Sequence, residues 1–167
     1  MGSKIKLLVV DDEKQFLETI CRRLELRNFE VVPVSSGEEA VEAARKQDFE
    51  IALVDLKMPG MGGEKVLEIL KKEHPWLEVI ILTGHGSIDS AVRSTKLGAY
   101  YYLQKPCDLE LLLQVVAEAY QERIKRKYRY NDEKMKNILA PLVSASPLEK
   151  LRSLKQLDEK KKAELSI

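Results

Sequence analysis

Five side chains in this sequence have the types and order to do chemistry together: Asp11, Asp12, Asp55, Thr83 and Lys105. Each lies at the end of a short apolar run. Leu7 to Val10 leads to Asp11-Asp12, Ile51 to Val54 to Asp55, Val79 to Leu82 to Thr83, and Tyr100 to Leu103 towards Lys105. Three crowded carboxylates repel one another and invite a hard divalent cation such as Mg²⁺. A hydroxyl and an ammonium beside them suit the oxygens of a phosphoryl group. An aspartate held still at the end of a buried strand is also a competent nucleophile, as in aspartyl-phosphate formation. The set predicts a phosphoryl-transfer site with Asp55 as the attacking group. Taken singly, these residues read as a helix cap, a strand-end hydroxyl and a solvated lysine. Their order and spacing together carry the prediction.

Short Val- and Ile-rich runs separated by helical patterns read as buried parallel strands, whose carboxyl ends present ligand groups in one crevice. Phe16, Ile20 and Leu24 recur every four residues as the stripe of the first helix. A second strand is expected near Glu30 to Val34, at a sheet edge because of Pro33. A loop rich in Gly and Pro, Met58 to Gly63, precedes a helix over 64–72. A helix from Ser87 closed by Gly98, a fifth strand over 100–104 and a helix from Asp108 complete five β/α units. The expected fold is an α/β, flavodoxin-like, doubly wound five-stranded parallel sheet of order 2-1-3-4-5, with a helical C-terminal extension. That order sets the ends of strands one and three side by side.

At 167 residues the chain has room for one domain of roughly 100–150 residues and an extension. Net charge is only +1, but it is unevenly spread: residues 1–120 carry 15 Lys+Arg against 20 Asp+Glu, and residues 121–167 carry 13 against 7. The two parts therefore differ in character. Cys21 and Cys107 lack metal-ligand spacing and are too few for a disulfide framework, so they read as inert thiols in a reducing cytosol. No apolar stretch approaches the 18 or so residues of a membrane span, and the start lacks the core of a secretion signal. A cytoplasmic location is expected. Met1-Gly2-Ser3 reads as a cloning scar.

The arrangement resembles the receiver domain of two-component response regulators over residues 4–125. The acidic pair Asp11-Asp12, Asp55 with the loop to Gly63, Thr83 with Gly84, Tyr102 and Lys105-Pro106 all fall in that family's order. The resemblance implies that Asp55 takes a phosphoryl group from a sensor histidine kinase. It implies that Asp11, Asp12, Asp55 and the backbone carbonyl of Lys57 hold Mg²⁺, and that the Lys105–Pro106 bond is cis. It further implies a switch in which Thr83 moves toward the phosphoryl group and Tyr102 turns inward, remodelling the surface of the fourth helix and fifth strand. The chain is then no enzyme in the ordinary sense but a phosphoacceptor that assists its own phosphorylation and dephosphorylation. Lys57 and His85, two residues beyond Asp55 and Thr83, flank the path of an attacking water; His74 reads as structural or exposed.

A haloacid-dehalogenase-type phosphatase also uses a strand-end aspartate, but it expects a second aspartate two residues on, where this chain has Glu13. Residues 126–167 form a tail or linker with two short amphipathic segments, one carrying Met135, Ile138, Leu139 and Leu142, the other Leu148, Leu151, Leu154 and Leu157 with a charged, solvated opposite face ending in Lys160-Lys161-Lys162. They show no helix-turn-helix. The basic cluster from Arg123 to Arg129 suits the negative end of a helix, so nucleic acid is not the expected partner. The expected output is contact with a downstream protein, with a homodimer through the fourth helix, fifth strand and fifth helix implied by the family. The motifs are closest to receivers of ATPase-type transcriptional activators. The alternative is therefore a receiver fragment of a transcriptional regulator whose DNA-binding effector is absent from this chain.

Overall fold

In the computed structural model, which describes residues 2–166, the three central strands β1 (Lys6–Val10), β3 (Ile51–Val54) and β4 (Glu78–Thr83) are almost wholly buried. They do not alternate apolar with polar because both faces of the sheet are covered. Leu7, Val9, Leu53 and Ile80 face α1 (Lys14–Glu25) and α5 (Leu109–Lys127). Leu8, Val10, Val54 and Ile81 share the opposite core with α2 (Gly37–Lys46) and α3 (Gly63–Glu73). The edge strands β2 (Glu30–Val34) and β5 (Tyr101–Gln104) are partly exposed, and Pro33 lies exposed on the β2 edge. All five strands are parallel in the order β2-β1-β3-β4-β5, as the alternation of strand and helix predicts.

Register then sets the site. Val10 pairs with Val54 and Val54 with Ile81, so Asp11 and Asp55 leave adjacent strands at one level. The Asp55 N–H donates to the Val10 carbonyl at 3.0 Å, and the Lys105 N–H to the Thr83 carbonyl at 2.8 Å. Helix α4 (Ile88–Lys96) starts at a capping box in which Ser87 and Ser90 satisfy each other's backbone donors. Met1 of the expected cloning scar and Ile167 of the expected tail lie outside the described residues.

The tail differs from two short segments. Helix α5 continues unbroken to Lys127, followed by α6 (Asp132–Leu139), a single 3₁₀ turn (Ala140–Leu142) and the 19-residue α7 (Pro147–Leu165). A Ser146–Glu149 capping box and Pro147 in the first turn start α7. Leu151 and Leu154 then enter the same core as Leu24 and Tyr120. Tertiary burial, rather than propensity, explains the length of this helix.

Two charged residues, Lys155 and Asp158, are buried with the leucines. The Lys155 ammonium donates to Glu50 Oε2 at 2.8 Å, and Tyr120 donates to the same oxygen at 2.7 Å. Asp158 accepts from Lys127 at 3.1 Å and from Tyr128, with the Tyr120 hydroxyl oxygen 3.2 Å and the Arg123 guanidinium 3.6 Å away. Burial alone would push the Asp158 carboxyl up, but the Tyr128 hydrogen bond and the charges of Arg123 and Lys127 hold it below its ordinary value.

Removing one member of a buried charge cluster strands the others. Asp158→Ala should therefore cost about 3–5 kcal/mol at neutral pH, and Leu154→Ala about 2–5 kcal/mol, each read from urea unfolding. A depressed folded pKa gives stability that is present above 3.8 and lost as pH falls through the folded value. The deficit of Asp158→Asn should accordingly shrink below that pH.

Candidate functional site

Asp11 and Asp55 are the first residues beyond neighbouring strands, and only 2% and 1% exposed, whereas Asp12 is exposed. One carboxylate oxygen from each of the three lies within 4.8 Å of the others. Asp11 Oδ1 accepts the Glu13 N–H at 2.9 Å, which fixes the carboxylate at the start of α1. The Lys105 ammonium reaches Asp11 Oδ2 at 2.5 Å, Glu13 at 3.3 Å and Asp55 Oδ2 at 3.8 Å. It also sits 3.9 Å from the centroid of the Phe16 ring, within cation–π range. The Lys105–Pro106 bond is cis.

Both oxygens of Asp55 are buried, and neither accepts a hydrogen bond among the described residues. A buried carboxylate without partners is expensive, so the site suits an added cation or an electrophile. Burial pushes the Asp11 carboxyl above its ordinary value; the Lys105 hydrogen bond offsets this only in part, and the Asp55 charge adds to it. For Lys105 burial acts downward, but its hydrogen bond to Asp11 and the charges of Asp11 and Asp55 outweigh it and hold the ammonium protonated.

Thr83 is fully buried at the end of β4, where its hydroxyl oxygen accepts the His85 N–H at 3.1 Å. Tyr102 is half-buried, its hydroxyl 2.7 Å from Ser90 Oγ and accepting the Ser87 N–H at 3.2 Å. The ring is thereby tied to the start of α4. Gly86 lies beneath it, where a Cβ would come within 2.6 Å of the phenol oxygen. Ser87, Ser90 and Gly86 escaped the sequence reading as partners of Tyr102, since a Ser-x-x-Ser spacing signals only a cap.

Gly63 has a role beyond ending the loop. A Cβ there would meet the Asp55 carbonyl at 2.1 Å, and its N–H donates to the Leu56 carbonyl at 2.8 Å. The first turn of α3 thus presses on the Asp55 backbone and leaves it no room to shift. Lys57 is exposed two residues beyond Asp55 and shares a shallow groove with His85, Ser87 and Arg93. His74 lies at the other end of the sheet, beside β4's first residues.

The geometry matches a known family. The chain belongs to the response regulator receiver domain family, whose model matches residues 7–117. It is 33% identical over 150 residues to the transcriptional regulatory protein GlrR of Escherichia coli K12, an alignment covering 90% of this chain and long enough to run into the tail. The chain spans only 32% of GlrR's length. A CheY-like receiver domain from Methanospirillum hungatei superposes with TM-score 0.72 at 31% identity, covering 74% of this chain and 99% of that one. A Burkholderia pseudomallei response regulator described with a phosphorylated aspartic acid, calcium ion and citrate gives TM-score 0.65 at 26% identity, covering 82% and 93% of the two chains. The expected family and doubly wound fold are those observed.

A raised folded pKa means that ionised Asp11 costs stability, a cost absent below 3.8 and incurred as pH rises through the folded value. Asp11→Asn should therefore unfold at higher denaturant than wild type at neutral pH, with the advantage vanishing in acid. Denaturant midpoints measured across pH check this.

Proposed function

We propose that Asp55 accepts a phosphoryl group from the phosphohistidine of a sensor histidine kinase. A carboxylate oxygen of Asp55 attacks phosphorus, the phosphorus–nitrogen bond breaks, and the imidazole leaves with the bonding pair. The observation that carries this reading is the pair of buried, unpartnered Asp55 oxygens between Asp11 and the Lys105 ammonium.

Attack of one anion on another requires charge neutralisation. Asp11, Asp12, Asp55 and the backbone carbonyl of Lys57 are the groups that would hold magnesium, which when bound supplies that neutralising charge. The orphaned Asp55 oxygens and the three-carboxylate cluster fit such a hard cation. Lys105 takes up the third side of the transferred group as a point charge. Thr83 supplies a hydroxyl donor, leaving the His85 N–H to do so, and Tyr102 follows because its anchor is the α4 start that Thr83's loop leads into. The chain acts as a phosphoacceptor that assists its own phosphorylation and dephosphorylation.

Residues 4–125 form the phosphoacceptor unit in this reading, and residues 126–167 a tail that takes part in output. Ile88, Val92, Tyr101 and Leu111 are exposed on α4, β5 and α5. They supply an apolar face for a second copy or for a downstream protein partner. No described helix is long and apolar enough to cross a membrane. The similarity to GlrR favours one further reading, the receiver portion of a transcriptional regulator whose DNA-binding effector is absent from this chain.

Intact mass after incubation with Mg²⁺ and acetyl phosphate tests the chemistry. One phosphoryl adduct is expected in wild type, labile to hydroxylamine, suppressed by chelator and absent in Asp55→Asn. A folded wild type without adduct, or an adduct that persists in the variant, contradicts the assignment.

A further inference from the structure

The end of the sheet opposite Asp55 holds a cavity of about 540 Å³, between the start of β1, the loops leading into β3 and β4, the end of α5 and the inner face of α7. Its lining is strongly cationic: Lys4, Lys6, Arg123, Lys127, Lys155 and Lys162 against the carboxylates Asp48, Glu50 and Glu73. Glu73 is engaged from outside the lining by Arg45, Glu50 by Tyr120 and by the lining's own Lys155, and Lys127 and Lys162 share the single carboxylate of Asp158.

Arg123 is the decisive residue. Its side chain is only 7% exposed, yet its Nε and Nη1 make no hydrogen bond among the described residues. Among the described residues its close anion is Asp158, whose Oδ2 stands 3.6 Å from Nη1 and 3.2 Å from the Tyr120 hydroxyl, while Oδ1 accepts from Lys127 and Tyr128. His74 lines the same cavity, and its buried Nε2 also has no partner among the described residues. Buried polar groups are nearly always satisfied, and a guanidinium fork matches the oxygens of a phosphate group. Burial, then the charges of Arg123 and Lys162, lower the ordinary value of Lys127, as crowding of like charge requires. The volume falls in the range of small-molecule sites, roughly 300–1,000 Å³.

We propose that this cavity binds a small phosphate-bearing anion, gripped from inside by Arg123 and from the rim by Lys4, Lys127 and Lys162. Helix α7 contributes Lys155 and Lys162, so occupancy would fasten the tail to the receiver. The site is separate from Asp55 and does not depend on phosphoryl transfer there.

Trp76, the sole tryptophan of the chain, lines the cavity and is 41% exposed, so its emission reports on this site. The experiment titrates the full chain carrying Asp55→Asn, in chelator, with pyrophosphate and separately with ADP. A saturable change in Trp76 emission is expected, beyond that given by sodium chloride at equal ionic strength. Binding of ADP alone identifies a nucleotide ligand; equal binding of both identifies the phosphate groups as the recognised element. Affinity should fall about tenfold in Arg123→Met, which removes a buried charged donor, and about threefold in Lys162→Gln, whose ammonium is exposed. If Arg123→Met fails to fold by circular dichroism, Lys162→Gln and Lys4→Gln carry the test, since both residues are exposed. No saturable response to either ligand at millimolar concentration, or affinity unchanged in every folded variant, overturns the proposal.

Discussion

The Lys105 ammonium, 2.5 Å from Asp11 and 3.8 Å from Asp55, is the interaction on which the phosphoacceptor end depends. Without that charge two buried carboxylates would face each other unscreened. Lys105 is positioned at both ends: its N–H is fixed to the Thr83 carbonyl and its ammonium sits over the Phe16 ring. The arrangement leaves Asp55 with less than it needs, since Lys105 stands much closer to Asp11. That imbalance leaves the Asp55 oxygens without a hydrogen-bond partner among the described residues, in a site otherwise closely held.

The other end of the sheet solves the same problem in the opposite sense. Asp158 is fully buried like Asp55, but tyrosine hydroxyls and cations surround it and hold its carboxyl down, whereas burial leaves Asp11 raised. One end is built to be perturbed and the other to hold. Helix α5 joins them, beginning shortly after Lys105 and ending at Lys127, a donor to Asp158. The tail is thus packed against α5, the helix that begins shortly after Lys105, which links it to the site without any contact with it.

The central strands were legible because strands covered on both faces must be continuously apolar, and Asp11, Asp55 and Thr83 because each interrupts such a run at its end. Strand order followed from short connections of fixed handedness. Other features depend on partners that meet only in three dimensions. Ser87 reads as the start of a helix and, with Ser90, also anchors Tyr102; Gly63 reads as a loop residue and proves to be the place where α3 touches the Asp55 backbone. Lys155 and Asp158 looked like part of a solvated face, because sequence periodicity marks leucines for burial and gives no signal for a charge whose partners lie on other helices. For the same reason α7 was read as a short segment rather than a 19-residue helix.

Calorimetric titration of Mg²⁺ into the chain at neutral pH is the decisive measurement, because an Asp55 carboxylate left unsatisfied in a carboxylate cluster should take up the cation. Wild type should bind one equivalent, and Asp55→Asn should lose most of that affinity while keeping its fold. Equal Mg²⁺ affinity in the two proteins, or none in the folded wild type, would contradict the account.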